Sequence, residues 1–220
     1  MQCRFEKLLT VICLAFVLAF FFTHAEAQPP LGDPASASGS PAVGQDGIEH
    51  AFSMGSMETG LAFGGAVGLK IFGSTVYHDF VLGSVHLGRI MSDTKCAGTW
   101  YEGNWELLAE AFGGYQLNHG GASLAGLTPF VRYNFVTFHS RWVPFVEAGA
   151  GVSYTDISKP DLSTYFEFNL QAGMGIRYFF CPNLAATLQA RYLHISNAEI
   201  ESPDRGVNAP EFLLGLSWFL

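Results

Sequence analysis

The chain has 220 residues, of which 49% are apolar and only 14% charged, with 25 Gly, 20 Phe and 8 Tyr. It is too apolar for a disordered chain and too rich in glycine and aromatics for a helical bundle. Its 11 basic side chains face 19 acidic ones, a net charge of −8, so the basic face that nucleic acid requires is missing and no nucleic-acid partner is expected.

Arg4 and Lys7 precede an apolar run from Leu8 to Phe22, which leads to His24-Ala25-Glu26-Ala27. A basic start, an apolar stretch and a small-x-small end describe an export signal, with cleavage expected after Ala27. The apolar run is short of the roughly 20 residues a membrane-spanning helix needs, which disfavours a retained anchor. Residues 28–48 are rich in Pro, Gly, Ala and Ser. Such a stretch buries too little apolar area to offset the entropy of ordering, so it reads as a flexible linker ahead of a domain over 49–220.

From residue 49 onward no segment is apolar for long enough to cross a membrane as a helix, yet segment after segment alternates with period two. Eight strands are predicted, at about 50–63, 74–91, 101–116, 124–137, 142–155, 164–179, 183–196 and 209–220. The clearest is the sixth. There Phe166, Phe168, Leu170, Ala172, Met174, Ile176 and Tyr178 share one face, and Glu167, Asn169, Gln171, Gly173, Gly175 and Arg177 share the other. The seventh sets Ala186, Leu188, Ala190 and Tyr192 against Thr187, Gln189 and Arg191. In the eighth, Phe212, Leu214, Leu216 and Trp218 alternate with Glu211, Gly215 and Ser217, although Leu213 and Phe219 blur the polar side.

Alternation alone also fits a soluble secreted sandwich. Three features favour a membrane barrel: strands well above the ~5–6 residues usual in soluble sheets, aromatics near strand ends (Tyr133, Phe135, Tyr178, Trp218), and a final aromatic-bearing strand. The expected fold is all-β, an eight-stranded antiparallel outer-membrane β-barrel. At this strand number side chains fill the bore, so Glu106, Glu110, Glu147 and Glu167 should pair inside with Arg132, Arg177 and Arg191, leaving no transport pore.

With an even strand number and both termini periplasmic, odd strands run outward and the link after strand seven lies outside the cell. Cys181, in the turn Phe180-Cys181-Pro182-Asn183, and Cys96, between strands two and three, then share the periplasmic rim. An oxidising compartment permits a disulfide, but two cysteines make no framework and two unpaired thiols fit as well. His50, His78, His86, His119 and His139 show no ligand spacing, so no metal is expected. No cofactor motif stands between a strand and a helix either, and the glycines read as barrel corners.

One stretch breaks the pattern. The outward face of strand seven continues as Tyr192, His194 and Ser196, placing an imidazole and a hydroxyl where lipid should be. Polar groups on a lipid face need a reason. Residues i and i+2 lie about 6–7 Å apart on one side of a strand, close enough for the imidazole to serve the hydroxyl as a base. Placement at the headgroup boundary, where polar residues are welcome, is the alternative.

Tyr192-Leu193-His194-Ile195-Ser196-Asn197-Ala198, followed by Pro203, Gly206 and Leu213-Leu214-Gly215-Leu216-Ser217-Trp218, resembles the C-terminal signature of the lipid A 3-O-deacylase (PagL-type acyloxyacyl hydrolase) family. Leu127–Tyr133 and Val143–Gly151 are similar to that family as well, and the resemblance covers about residues 50–220. It implies an outer-membrane barrel of a Gram-negative-type cell that hydrolyses an ester-linked acyl chain of lipid A in lipopolysaccharide, without a cofactor. Carried over, Ser196 is the nucleophile, His194 the base, and Asn197 a candidate for stabilising the oxyanion. The family's third member is a Glu fourteen residues after the His, where this chain has Asn208. Parity puts Asn208 outward with Pro210 and Phe212, whereas Glu211 points inward. An amide oxygen can hold the imidazole tautomer but supplies no charge, so slower turnover is expected. Glu199, Glu201 or Asp204 in the following loop are the alternative partners, and Asp204 stands where the family has an Asn. Because of Asn208, a non-catalytic structural or adhesion barrel is the competing reading. Which acyl chain is removed, and whether the barrel forms a homodimer, are open at the level of sequence.

Overall fold

The computed structural model describes residues 48–119, 121–136 and 140–220. The expected export signal and all but the last residue of the expected linker lie outside the described residues. A one-turn helix, α1 (Ile48–Ala51), is followed by β1 (Met57–Ala66), β2 (Phe80–Ile90), β3 (Gly103–Gln116), β4 (Ser123–Phe135), β5 (Trp142–Thr155), β6 (Phe166–Cys181), β7 (Leu184–Ser196) and β8 (Val207–Phe219). Each strand pairs antiparallel with the next, and β1 pairs with β8, closing the barrel. Closure leaves no unpaired edge, the condition for crossing a bilayer with strands. The strands run from 10 to 16 residues, enough for the about 9–11 that a tilted strand needs.

Outward positions carry Leu61, Phe63, Val85, Leu87, Leu127, Leu170, Met174, Leu188, Phe212 and Leu214, all exposed. In a soluble protein this belt would be an aggregation surface; in a bilayer it is matched to hydrocarbon. One rim bears the turns β2–β3, β4–β5 and β6–β7. Near it an aromatic girdle forms, with Trp105 against Tyr133 at 4.8 Å between ring centroids and Trp142 against Tyr178 at 4.6 Å. The other rim, here the loop rim, carries the loops 67–79, 156–165 and 197–206 and the described residues 117–119 and 121–122.

The interior has three layers. Toward the loop rim lies an apolar cluster that includes Phe80, Phe112, Leu162, Leu193, Ile195 and Leu213. At the opposite end Ile48, Phe52, Phe179 and Phe219 form a second one. Leu213 and Phe219, the two residues that blur the polar face of β8, are thus the inward contributions of that strand to these caps. Between them lies an ionic network. Arg132 binds Glu147 at 2.8 Å, Arg191 binds Glu110 at 2.9 Å and Glu211 at 3.2 Å, and Arg177 binds Glu58 and, at 3.2 Å, Glu106. His86 adds a contact to Glu58 at 3.0 Å. Pairing is what makes buried charge tolerable.

Several expectations are corrected. The first strand starts at Met57, not near 50, because Ile48 and Phe52 are drawn inward to plug the turn rim, where Phe52 meets Phe179 edge-on and Phe219 at a tilt and its carbonyl accepts from Asn104. Ile48 therefore belongs to the barrel rather than the linker. The second strand starts at Phe80, not 74, because residues 74–78 bind the loop residue Asp161. Glu167 does not pair with an arginine. As the second residue of β6 it sits at the loop rim, above the arginine layer, and accepts from Thr164 Oγ1 at 2.6 Å. Cys181 is the last residue of β6, beyond a register shift, rather than a turn residue, and Cys96 and Cys181 are both free and exposed.

Candidate active site

Antiparallel pairing of β7 with β8 sets His194 directly opposite Asn208. Both side chains share the outward face with Tyr192, Pro210 and Phe212, as the period of two demands. The His194 Nδ1–H donates to Asn208 Oδ1 at 2.8 Å, and the Tyr192 hydroxyl donates to the same oxygen at 2.9 Å. Asn208 Nδ2 donates to the carbonyl of Ile71 at 3.1 Å. Since that carbonyl can only accept, the amide has one way round: its oxygen faces the imidazole and the Nδ1–H tautomer follows. Nε2 is then left with a lone pair. Asn208 is 1% exposed although it points outward, because the 67–79 loop lies over it.

Ser196 ends β7, two residues along the same face from His194. It is half-buried, and its side chain makes no hydrogen bond among the described residues, leaving Oγ free to meet a reactant. Across the ladder its partner is Phe168 and that of His194 is Leu170. Phe166 and Leu170 are exposed, and Phe166 meets Phe168 edge-on at 5.7 Å. An apolar strip thus runs down β6 beside the hydroxyl.

Asn197 turns away from this face. It is buried, its Nδ2 donates to Ser163 Oγ at 3.1 Å and to the Glu201 carbonyl at 2.9 Å, and its Oδ1 accepts from Ile200 N at 3.1 Å. The side chain ties the β7–β8 loop to the β5–β6 loop. Asp204 accepts from the backbone N–H groups of Asn197 and Glu199, at 3.2 and 2.8 Å, around a left-handed pair, Ala198 and Glu199. None of Glu199, Glu201 and Asp204 is bonded to His194. Gly206 packs on the ring: a Cβ there would lie 2.9 Å from His194 Cε1, and its φ of +70° suits glycine. Among the described residues no three His, Cys, Asp or Glu side chains cluster as a metal site would need.

Two contributors escaped the sequence reading. Tyr192 was legible by parity alone, standing i−2 from His194 on the same face. The Ile71 carbonyl was not, since a backbone group in a distant loop leaves no mark in side-chain patterning.

A family model described as lipid A 3-O-deacylase (PagL) matches residues 88–217, more than half of the chain and all of the β7–β8 site. The chain belongs to the PagL family. Among solved structures, the crystal structure of the outer membrane enzyme PagL superposes with a TM-score of 0.53 at 18% identity, covering 72% of this chain and 97% of PagL. Neisserial surface protein A gives a TM-score of 0.53 at 14% identity, covering 74% of this chain and 95% of its own. At these identities the two superpositions speak for the shared eight-stranded barrel. No curated protein sequence matches the chain. The PagL-family match begins at residue 88, so β1 and the loop that covers Asn208 lie outside it.

Proposed function

We propose that this chain is an outer-membrane serine esterase that removes the 3-O-linked acyl chain of lipid A. The observation that carries the reading is the hydrogen bond from His194 Nδ1 to Asn208 Oδ1, with an uncommitted Ser196 on the same outward face, in a member of a deacylase family. His194 Nε2 takes the Ser196 hydroxyl proton as Oγ attacks the acyl carbonyl. The resulting oxyanion is met by a backbone donor; of the amides 197–200, only that of Ala198 has no acceptor among the described residues. Collapse breaks the acyl–oxygen bond, His194 gives the proton to the departing sugar oxygen, and water then frees the acyl group from Ser196. These steps use no metal or cofactor.

A lipid-facing site suits a substrate held in the outer leaflet, with the loop rim outward and the signal removed after Ala27. Asn208 supplies no negative charge to the imidazolium, so turnover slower than with a carboxylate is expected. The likeness to Neisserial surface protein A and the neutral Asn208 motivate the non-catalytic alternative. The two separate on treatment of the detergent-folded barrel with a long-chain alkyl fluorophosphonate, which phosphonylates activated serines with loss of fluoride. A covalent adduct on Ser196, absent from His194→Gln, is expected; a folded barrel that gains none, or gains it elsewhere, overturns the serine mechanism.

A further inference from the structure

An amide, unlike a carboxylate, has a right and a wrong way round. Were the Asn208 carboxamide rotated by half a turn, its Nδ2 would face His194 Nδ1, the imidazole proton would move to Nε2, and Nε2 could no longer accept a proton from Ser196. Oxygen and nitrogen ends are nearly the same size, so packing alone does not choose between them. Something polar must, and the only acceptor on the far side of the amide among the described hydrogen bonds is the Ile71 carbonyl, at 3.1 Å.

That carbonyl is held by a chain of contacts that ends in one buried carboxylate. Ile71 O also accepts from Ser74 N at 3.1 Å, closing a turn over residues 71–74. Ser74 Oγ donates to Asp161 Oδ2 at 3.1 Å. Thr75 gives Asp161 both its N–H, at 2.9 Å, and its hydroxyl, at 2.5 Å. Val76 N and His78 Nε2 complete the set at 3.0 Å each. Asp161 is 0% exposed and belongs to the β5–β6 loop, and its own carbonyl accepts from Arg205 N at 2.8 Å in the β7–β8 loop. A loop of this length is costly to order, and its free stretch between Leu69 and Asp79 has no strand partner. On the near side it is pinned to β8 by Val67 N to Pro210 O, 3.0 Å, and Leu69 N to Asn208 O, 2.7 Å. On the far side Asp161 is the anchor.

We propose that Asp161 is a positioning residue: by holding the 67–79 loop it keeps the Ile71 carbonyl on Asn208 Nδ2, and thereby selects the His194 tautomer that can accept a proton from Ser196. The inference deepens the esterase reading and rests on it for its catalytic meaning, but its geometric content is measurable without turnover.

The test is the ring-nitrogen NMR spectrum of the mature barrel, labelled with 15N-histidine and folded in micelles. The His194 signals are assigned by their loss in His194→Gln. The wild type should show the Nδ1–H form. Asp161→Asn replaces an acceptor by a donor where five donors converge, and should bring the Nε2–H form to at least a third of the population while the barrel stays folded by its gel mobility with and without heating. Thr75→Val, which removes one of the five contacts, should give a smaller change of the same sign. Asn208→Asp restores symmetry, so adding Asp161→Asn to it should leave the tautomer unmoved. In kinetics on lipopolysaccharide, Asp161→Asn should lower kcat about tenfold in the wild type, with KM within twofold, and less than twofold in Asn208→Asp. An unchanged tautomer in Asp161→Asn, or an equal loss of kcat in both backgrounds, overturns the proposal. If the wild type deacylates nothing, the esterase reading falls, and the NMR arms still decide the role of Asp161.

Discussion

Gly206→Ala is a sharp probe of the site because two independent costs meet at one atom. The backbone there has φ +70°, a conformation that costs a residue with a Cβ about 1–2 kcal/mol. The added carbon would also lie 2.9 Å from His194 Cε1, against 3.4 Å for ordinary contact, so the ring must retreat by the difference, about 0.5 Å. Misplacing a reacting group by 1 Å costs on the order of 100-fold, and half of that distance should cost about tenfold in kcat. The control is Gly98→Ala. Gly98 has φ +79° with nothing within 4 Å of its Cβ position, so it carries the backbone cost without the contact. Deacylation rates and urea midpoints of the two variants should show similar small losses of stability, with activity lost only in Gly206→Ala. Equal activity in Gly206→Ala and wild type, in folded barrels, would refute the claim that His194 is the working base in the position described.

Three further outcomes are expected. Arg177→Met removes one of the two guanidinium groups that Glu58 and Glu106 share, leaving them the longer contacts to Arg132; breaking a buried ion pair on one side costs about 3–5 kcal/mol, to be read from urea unfolding, and a loss under 1 kcal/mol would deny the network its structural role. Leu214→Arg sets a cation on the exposed outward face near the middle of β8 and should cost about 2–4 kcal/mol in lipid bilayers; no cost in bilayers would mean that this face does not meet hydrocarbon. Burial pushes the Asp161 carboxyl up, but the hydrogen bonds from Thr75, His78 and Val76 outweigh it and hold the group below its ordinary value of 3.8. Its folded pKa being depressed, its contribution is fully present above about pH 4 and is lost as the pH falls through the lowered value. Protease resistance of the 67–79 loop should therefore hold from pH 7 down to 5 and drop below 4, and a loop already labile at pH 6 would contradict this.

Much of the barrel was legible because period-two alternation reports which face of a strand meets lipid, and strands β3 to β7 fall within two residues of their predicted ends. The reading failed where a residue is governed by something other than its strand. Phe52 alternates plausibly with its neighbours yet is pulled into the turn-rim cap, and residues 74–78 are extended in pattern yet serve Asp161 through Ser74, Thr75, Val76 and His78. Glu167 carries the right parity for the interior, but parity says nothing about depth, and the arginines lie deeper. In the site, His194 and Ser196 stood out as polar groups on an oily face, and Asn208 followed from the parity of β8. Asp161 could not be found that way, because its ligands are 83 to 87 residues away in the chain and two of them are backbone N–H groups.

The most direct measurement is the mass of lipid A recovered after lipopolysaccharide is incubated with the detergent-folded wild type and with Ser196→Ala. The account predicts that the wild type alone removes the mass of one hydroxyacyl chain, and that the serine variant, equally folded, removes none. Equal loss with both proteins, or no loss with either, would contradict it.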